Sequence, residues 1–277
     1  MLKLGYNTCG FSHDKDIARV IEYISEIGYH GIELTLDRNH FHPCFCYDGS
    51  LQRLTHLLAS KDLVVVINLG GRYVLSDRPH EPSLISAIRE ERDRFVRFAI
   101  DAIELAPKLS SHVVMLHSGL LPPPVSPDRA WGWMVAELQY LTAVAEEKGV
   151  CLAFEFHPAM LVSNLADYRF LREQVGSSYL KLTLDVGHVV CSEDRPVGEV
   201  IRECQGEVVN VHLEDIKGRE HFHLPIGQGD IDFRQVFEAL KEIEYRGLIN
   251  VEYNSHDLDI DQCLLARKTF DYLQGLM

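Results

Sequence analysis

The chain has 277 residues, 46% of them hydrophobic and 25% charged, an ordinary balance for a globular protein with one large core. Its formal net charge of −14 argues against a broad nucleic-acid footprint, because phosphate backbones select a basic face, and leaves open only a local basic groove. No apolar run reaches the roughly 18 residues of a membrane span. The first residues, MLKLGYNTCGFSHD, lack the apolar stretch of a secretion signal, so the expected location is cytoplasmic.

Taken in order, eight short apolar runs recur, at Leu2–Asn7, Gly31–Leu36, Val64–Leu69, His112–His117, Cys151–Phe156, Leu180–Leu184, Val208–Leu213 and Leu248–Tyr253. Most are rich in Val, Ile and Leu with little polar alternation, as expected of parallel strands buried on both faces. Amphipathic segments separate them. Asp16–Ile27 puts Ile17, Val20, Ile21, Ile24 and Ile27 on one face, and Asp93–Ala106, Trp133–Glu147 and Phe233–Ile243 behave alike. Gly28, Pro107, Gly149 and Gly247 stand where such helices should stop, and Asp232 is a candidate N-cap. Eightfold strand–helix alternation predicts a (β/α)₈ TIM barrel of the α/β class, one domain over residues 1–277. A doubly wound sheet is the alternative, but no Gly-rich dinucleotide fingerprint follows an early strand. His40–Asp48 and Gly70–Pro82 are long loops after strands two and three, on the face where barrels carry their sites.

The seven cysteines (9, 44, 46, 151, 191, 204 and 263) form no pair of CxxC motifs, so neither a structural zinc site nor a disulfide framework is expected. Cys44 and Cys46 are read as free thiols rather than metal ligands.

Polar residues gather at the strand ends. Strand four ends at His117 (VVMLHSG), strand five carries Glu155 (LAFEFHP), and strand six runs into Asp185 and His188 (LTLDVGH). Strand seven carries His212 and Asp215 (VNVHLED), and strand eight carries Glu252 (INVEYN). Convergent buried carboxylates repel and lose hydration, and a divalent cation is the simplest group that reverses this penalty. Three carboxylates and one imidazole suit Mn²⁺, Mg²⁺ or Co²⁺ and tolerate Zn²⁺.

The spaced motifs FEFHP, LDVGH, VHLED…HFHLPIGQGDIDF and VEY resemble those of the xylose-isomerase-like TIM barrels, whose members include sugar isomerases, ketose 3-epimerases, inosose dehydratases and endonuclease IV. The resemblance runs through the whole chain and implies that Glu155, Asp185, His212 and Glu252 bind a divalent metal, Mn²⁺ foremost. It further implies that Glu155 and Glu252 exchange protons with a sugar or polyol from opposite faces, with His188 as a substrate ligand. A metal on a carbonyl and its adjacent hydroxyl acidifies the neighbouring C–H, a carboxylate removes the proton, and the cation stabilises the enediolate. Epimerisation, isomerisation and dehydration share such a site, so the motifs do not separate them.

His117, His221 and His223 stand where the endonuclease IV branch places further metal ligands. That branch has an aspartate at the position of His221, and VINLGGRY lacks its strand-three histidine, so a complete three-ion site is not expected; a second, weaker metal stays open, and otherwise His117, His221 and His223 hydrogen-bond substrate or anchor the loop, with His117 and His223 read as substrate contacts. A metal-dependent phosphodiesterase and a catalytically silent ligand-binding barrel are the alternatives. Glu33 is read equally as a pocket residue or as a partner for an arginine or a loop amide. His157 is read as a loop residue, and His13, Asn7 and Arg72 as minor pocket candidates. His30, His40, His42, His56, His80, His112 and His256 are read as surface or packing residues. Gly227 and Gly229 suit a phosphate site or a tight turn, and Asp230 and Asp232 favour the turn. The sequence gives no nucleic-acid or membrane partner and leaves homo-oligomerisation open.

Overall fold

A computed structural model describes residues 1–14, 16–37, 49–253 and 261–277. The barrel strands are β1 (Lys3–Asn7), β2 (Gly31–Thr35), β3 (Val64–Asn68), β4 (Val113–His117), β5 (Cys151–Glu155), β6 (Leu180–Asp185), β7 (Val208–Leu213) and β10 (Leu248–Val251). They close in the order β1-β10-β7-β6-β5-β4-β3-β2, with every pairing parallel. The expected eight-stranded TIM barrel is therefore borne out.

The helices follow the amphipathic segments. In α1 (Ile17–Ile27) the Asp16 carboxylate accepts from Ala18 N and Arg19 N, and the left-handed Gly28 closes the last turn. The helix α2 (Ser50–Ser60) follows the residues outside the description that hold His40, His42, Cys44 and Cys46. The helices α3 (Arg89–Leu105) and α4 (Pro127–Lys148) begin earlier than the apolar periodicity predicts. Their first turns are polar, and Pro127 starts α4 because its missing N–H costs nothing there. After α5 (Leu165–Val175) come two short helices, α6 (Val186–Ser192) and α7 (Val197–Glu203), which lack enough periodic residues to be read in advance. In α8 (Phe233–Glu242) Asp232 is the N-cap, as expected, but the helix ends well before Gly247. Gly247 instead lies against Val209 O, where a Cβ would sit 2.5 Å away. The last helix described is α9 (Gln262–Gln274).

An antiparallel hairpin, β8 (Asp215–Lys217) and β9 (Glu220–Leu224), rises from the C-terminal end of β7. Its anchor is Asp215. One carboxylate oxygen accepts from Ile216 N and Ile231 N, the other from Gly227 N and Gly229 N, each of the last two at 2.8 Å. The amides of Gly227 and Gly229 are thus taken by a carboxylate, which selects the tight turn over an anion site. Among the described residues no helix is long and apolar enough to cross a membrane.

Candidate metal centre

Glu155 ends β5, Asp185 ends β6, His212 lies in β7 and Glu252 directly follows β10. One ligand atom from each of the four falls within 4.8 Å of all the others. His212 Nδ1 lies 2.8 Å from Glu155 Oε1, 2.8 Å from Glu252 Oε2 and 3.9 Å from Asp185 Oδ2. Asp185 Oδ1 caps α6 by accepting from Gly187 N and His188 N, while its buried Oδ2 has no hydrogen-bond partner. Asn7 Nδ2 donates to Glu252 Oε1 at 2.8 Å, which turns the other oxygen inward.

On the far edge of the ring, His212 Nε2 meets both oxygens of Glu33, at 2.9 and 2.8 Å. Asn68 and Asn210 donate to the same carboxylate. Glu33 therefore pairs with neither an arginine nor a loop amide: it belongs to a buried polar layer beneath the cleft.

The electrostatics agree with the donor set. Burial pushes the Asp185 carboxyl well above the usual carboxylate range, and Glu214 and Glu155 push it further. Burial raises Glu155 to about 7 against the pull of His212. Burial works against a charge on His212, but Glu252, Glu33 and Glu155 outweigh it and raise its pKa. Carboxyl groups buried this close together carry their charge at a penalty that a cation among them would reverse, and these atoms are of the type that could hold one. The unpartnered Asp185 Oδ2 and the convergence on Nδ1 fit a divalent metal.

Above this ring lies a cleft of about 530 Å³, within the size range of small-molecule sites. Its lining includes Glu155, His117, His188, His223 and Glu252. Arg72 and the loop after β3 wall it, as expected of Gly70–Pro82. His80, read from the sequence as a surface or packing residue, lies in this wall, its ring centroid 5.3 Å from that of His117. His117 is buried, and neither ring nitrogen has a hydrogen-bond partner. Burial, then His80 beside it, pushes its pKa down to about 3. His157 is in a loop, as read, yet it also lines the cleft, packed against His188 and His221. His13 and Asp215 are not among the lining residues.

The sequence reading missed Glu214. It follows β7, is fully buried, and faces His188, His221 and His223. The signal was present, because residues two apart in a strand share a face and Glu214 stands two beyond His212. Asp215, singled out instead, points the other way into its turn.

The sequence profile of the xylose isomerase-like TIM barrel matches residues 21–276, and the chain belongs to that family. An uncharacterised protein of Methanocaldococcus jannaschii is 31% identical over 214 residues, which cover 72% of this chain and 71% of that protein. An inosose dehydratase of Clostridium perfringens is 28% identical over 143 residues, 45% of this chain and 48% of the enzyme. Among solved structures, an L-ribulose 3-epimerase superposes with a TM-score of 0.79 at 23% identity, covering 100% of this chain and 96% of that one. A 3-keto-D-glucoside 4-epimerase from E. coli gives a TM-score of 0.80 at 18% identity, covering 99% and 100%. At such identities the superpositions establish the shared barrel.

Proposed function

We propose that this chain is a metal-dependent isomerase or epimerase of a sugar or polyol, with Glu155, Asp185, His212 and Glu252 as the metal ligands and Mn²⁺ as the ion. Mg²⁺ and Co²⁺ also suit these donors, and Zn²⁺ is tolerated by them. The observation that carries the reading is the pair of carboxylates, Glu155 and Glu252, each 2.8 Å from His212 Nδ1 on the floor of one small cleft. Names borne by similar proteins, inosose dehydratase and ketose 3-epimerase, support the substrate class.

When bound, the ion supplies a Lewis acid that acidifies the carbon beside a substrate carbonyl. Glu155, at the end of β5 and on the lining of the cleft, is placed to take a proton from substrate and to return it. Glu252, oriented by Asn7, serves the other face of the same carbon. Transfer through both gives epimerisation, and return to the neighbouring carbon gives isomerisation. Loss of a β-hydroxyl would make the same site a dehydratase. His117, with two unpartnered ring nitrogens over the cleft, binds a substrate hydroxyl, and His188 and His223 wall the same space.

The test is a panel of ketoses and inososes incubated with Mn²⁺-loaded protein in D₂O, followed by NMR. Exchange of a carbon-bound proton beside the carbonyl, abolished in the Glu155→Gln, Glu252→Gln double variant, is the expected result. Full turnover by that variant on the true substrate would refute the mechanism. A phosphodiesterase reading draws support from the additional histidines, but the charge of −14 opposes a nucleic-acid substrate.

A further inference from the structure

Asn68 ends β3 and is buried on the lining of the cleft. Each end of its amide meets a partner of fixed polarity. Nδ2 donates to Glu33 Oε1 at 2.7 Å, and Oδ1 accepts from Gly70 N at 2.5 Å. A carboxylate oxygen on one side and an N–H on the other set the orientation of the amide. Glu33 in turn meets His212 Nε2 with both of its oxygens. One side chain thus stands between the loop after β3 and the histidine of the four-residue ring.

The loop hangs from that contact. A Cβ on Gly70 would stand 2.9 Å from Asn68 Oδ1, so only glycine lets the backbone come this close without pushing the amide aside. A Cβ on Gly71 would stand 2.9 Å from Leu36 O, at the end of the neighbouring strand. Further along, His80 N donates to Arg72 O at 2.8 Å and draws the loop together. Arg72, Tyr73, Pro79 and His80, all carried by this loop, line the cleft. A turn in which Asn accepts from the N–H two residues on would by itself account for the Gly70 contact. The Glu33 contact is what extends that turn to the ring. The amide is planar and rigid, so a shift of the loop that drags Oδ1 also turns Nδ2 against Glu33.

We propose that Asn68 is a positioning residue that couples the wall of the cleft to the metal centre, the placed loop and the bound ion each favouring the same setting of its amide. This coupling rests on the assignment of Glu155, Asp185, His212 and Glu252 as metal ligands, and it adds how that ring senses the loop that faces substrate. Asn68 acts through Glu33 and moves no proton itself. Linkage makes the effect reciprocal: a loop position that favours the ion is in turn favoured by the ion.

The experiment is calorimetric titration of the full chain with Mn²⁺, for the wild type, Asn68→Ala, Gly70→Ala and the double variant, with circular dichroism to verify each fold. Asn68→Ala should weaken affinity roughly tenfold, the lower end of what loss of an outer partner of a metal-ligating histidine does. Gly70→Ala disturbs only the loop end of the amide and should still weaken affinity by about threefold or more. The double variant should be no weaker than Asn68→Ala alone, because both changes act through one side chain. A second measurement is backbone amide exchange over residues 70–82, read by mass spectrometry: Mn²⁺ should slow it in the wild type and leave it unchanged in Asn68→Ala. If Asn68→Ala does not fold, Gly70→Ala and the wild-type exchange carry the test. Wild-type Mn²⁺ affinity in Gly70→Ala, or exchange in the wild-type loop that ignores bound Mn²⁺, overturns the coupling and leaves the metal centre standing. A wild type that binds no Mn²⁺ overturns the metal centre, and the coupling with it.

Discussion

Glu33 Oε2 lies 2.8 Å from His212 Nε2, on the ring edge opposite Glu155 and Glu252. A carboxylate there accepts the Nε2 proton and leaves Nδ1 as the ligand atom, the carboxylate–histidine–metal arrangement in which an outer partner fixes the tautomer. Glu33→Gln should weaken divalent-metal affinity roughly 10–100-fold with the barrel intact by circular dichroism. Calorimetric titration with Mn²⁺ checks this, and unchanged affinity would remove Glu33 from that role.

Metal binding to the folded chain alone must raise stability. At a free Mn²⁺ concentration of a hundred times Kd the gain is about 2.7 kcal/mol. Thermal melts with and without EDTA should therefore differ by several degrees in the wild type. The difference should shrink sharply in Asp185→Asn, whose Oδ2 is the buried oxygen without a partner.

The two glutamates should be separable. If each serves one face of the substrate, Glu155→Gln stops interconversion yet leaves Glu252 able to exchange the proton of one epimer with D₂O, and Glu252→Gln does the reverse. Each variant should lose at least about 100-fold in kcat. Identical exchange patterns in both would show that one carboxylate does all the proton transfer.

Asp215 tests the hairpin. Its carboxylate accepts four backbone N–H groups in a buried turn, and an amide in its place offers one acceptor atom instead of two. Asp215→Asn should cost about 2–3 kcal/mol in urea unfolding. Limited proteolysis should cut the variant first within residues 215–231, and wild-type resistance there would show that other contacts hold the loop.

The barrel was legible because eight runs such as VVVIN and LINV are too apolar to be anything but doubly covered strands. The four converging residues were legible because each stands at the end of one of those runs. Glu33 was not, since its role depends on a partner 179 residues away. The hairpin escaped because β8 has three residues, too few to show a period. His80 escaped because only the course of the loop after β3 brings it to His117. Glu214 could have been found by strict alternation from His212, and was passed over for the more familiar-looking aspartate beside it.

The junction of β1 with β10, with Asn7 of the first strand held against Glu252 beyond the last, makes assembly wait for synthesis. A ribosome that has delivered seven strands has made a curled sheet with two unpaired edges, and such edges invite other chains. The carboxylates that end β5 and β6 precede in sequence the glutamate that completes their ring. Closure of the barrel and completion of the four-residue ring both wait on one late segment, Leu248–Glu252.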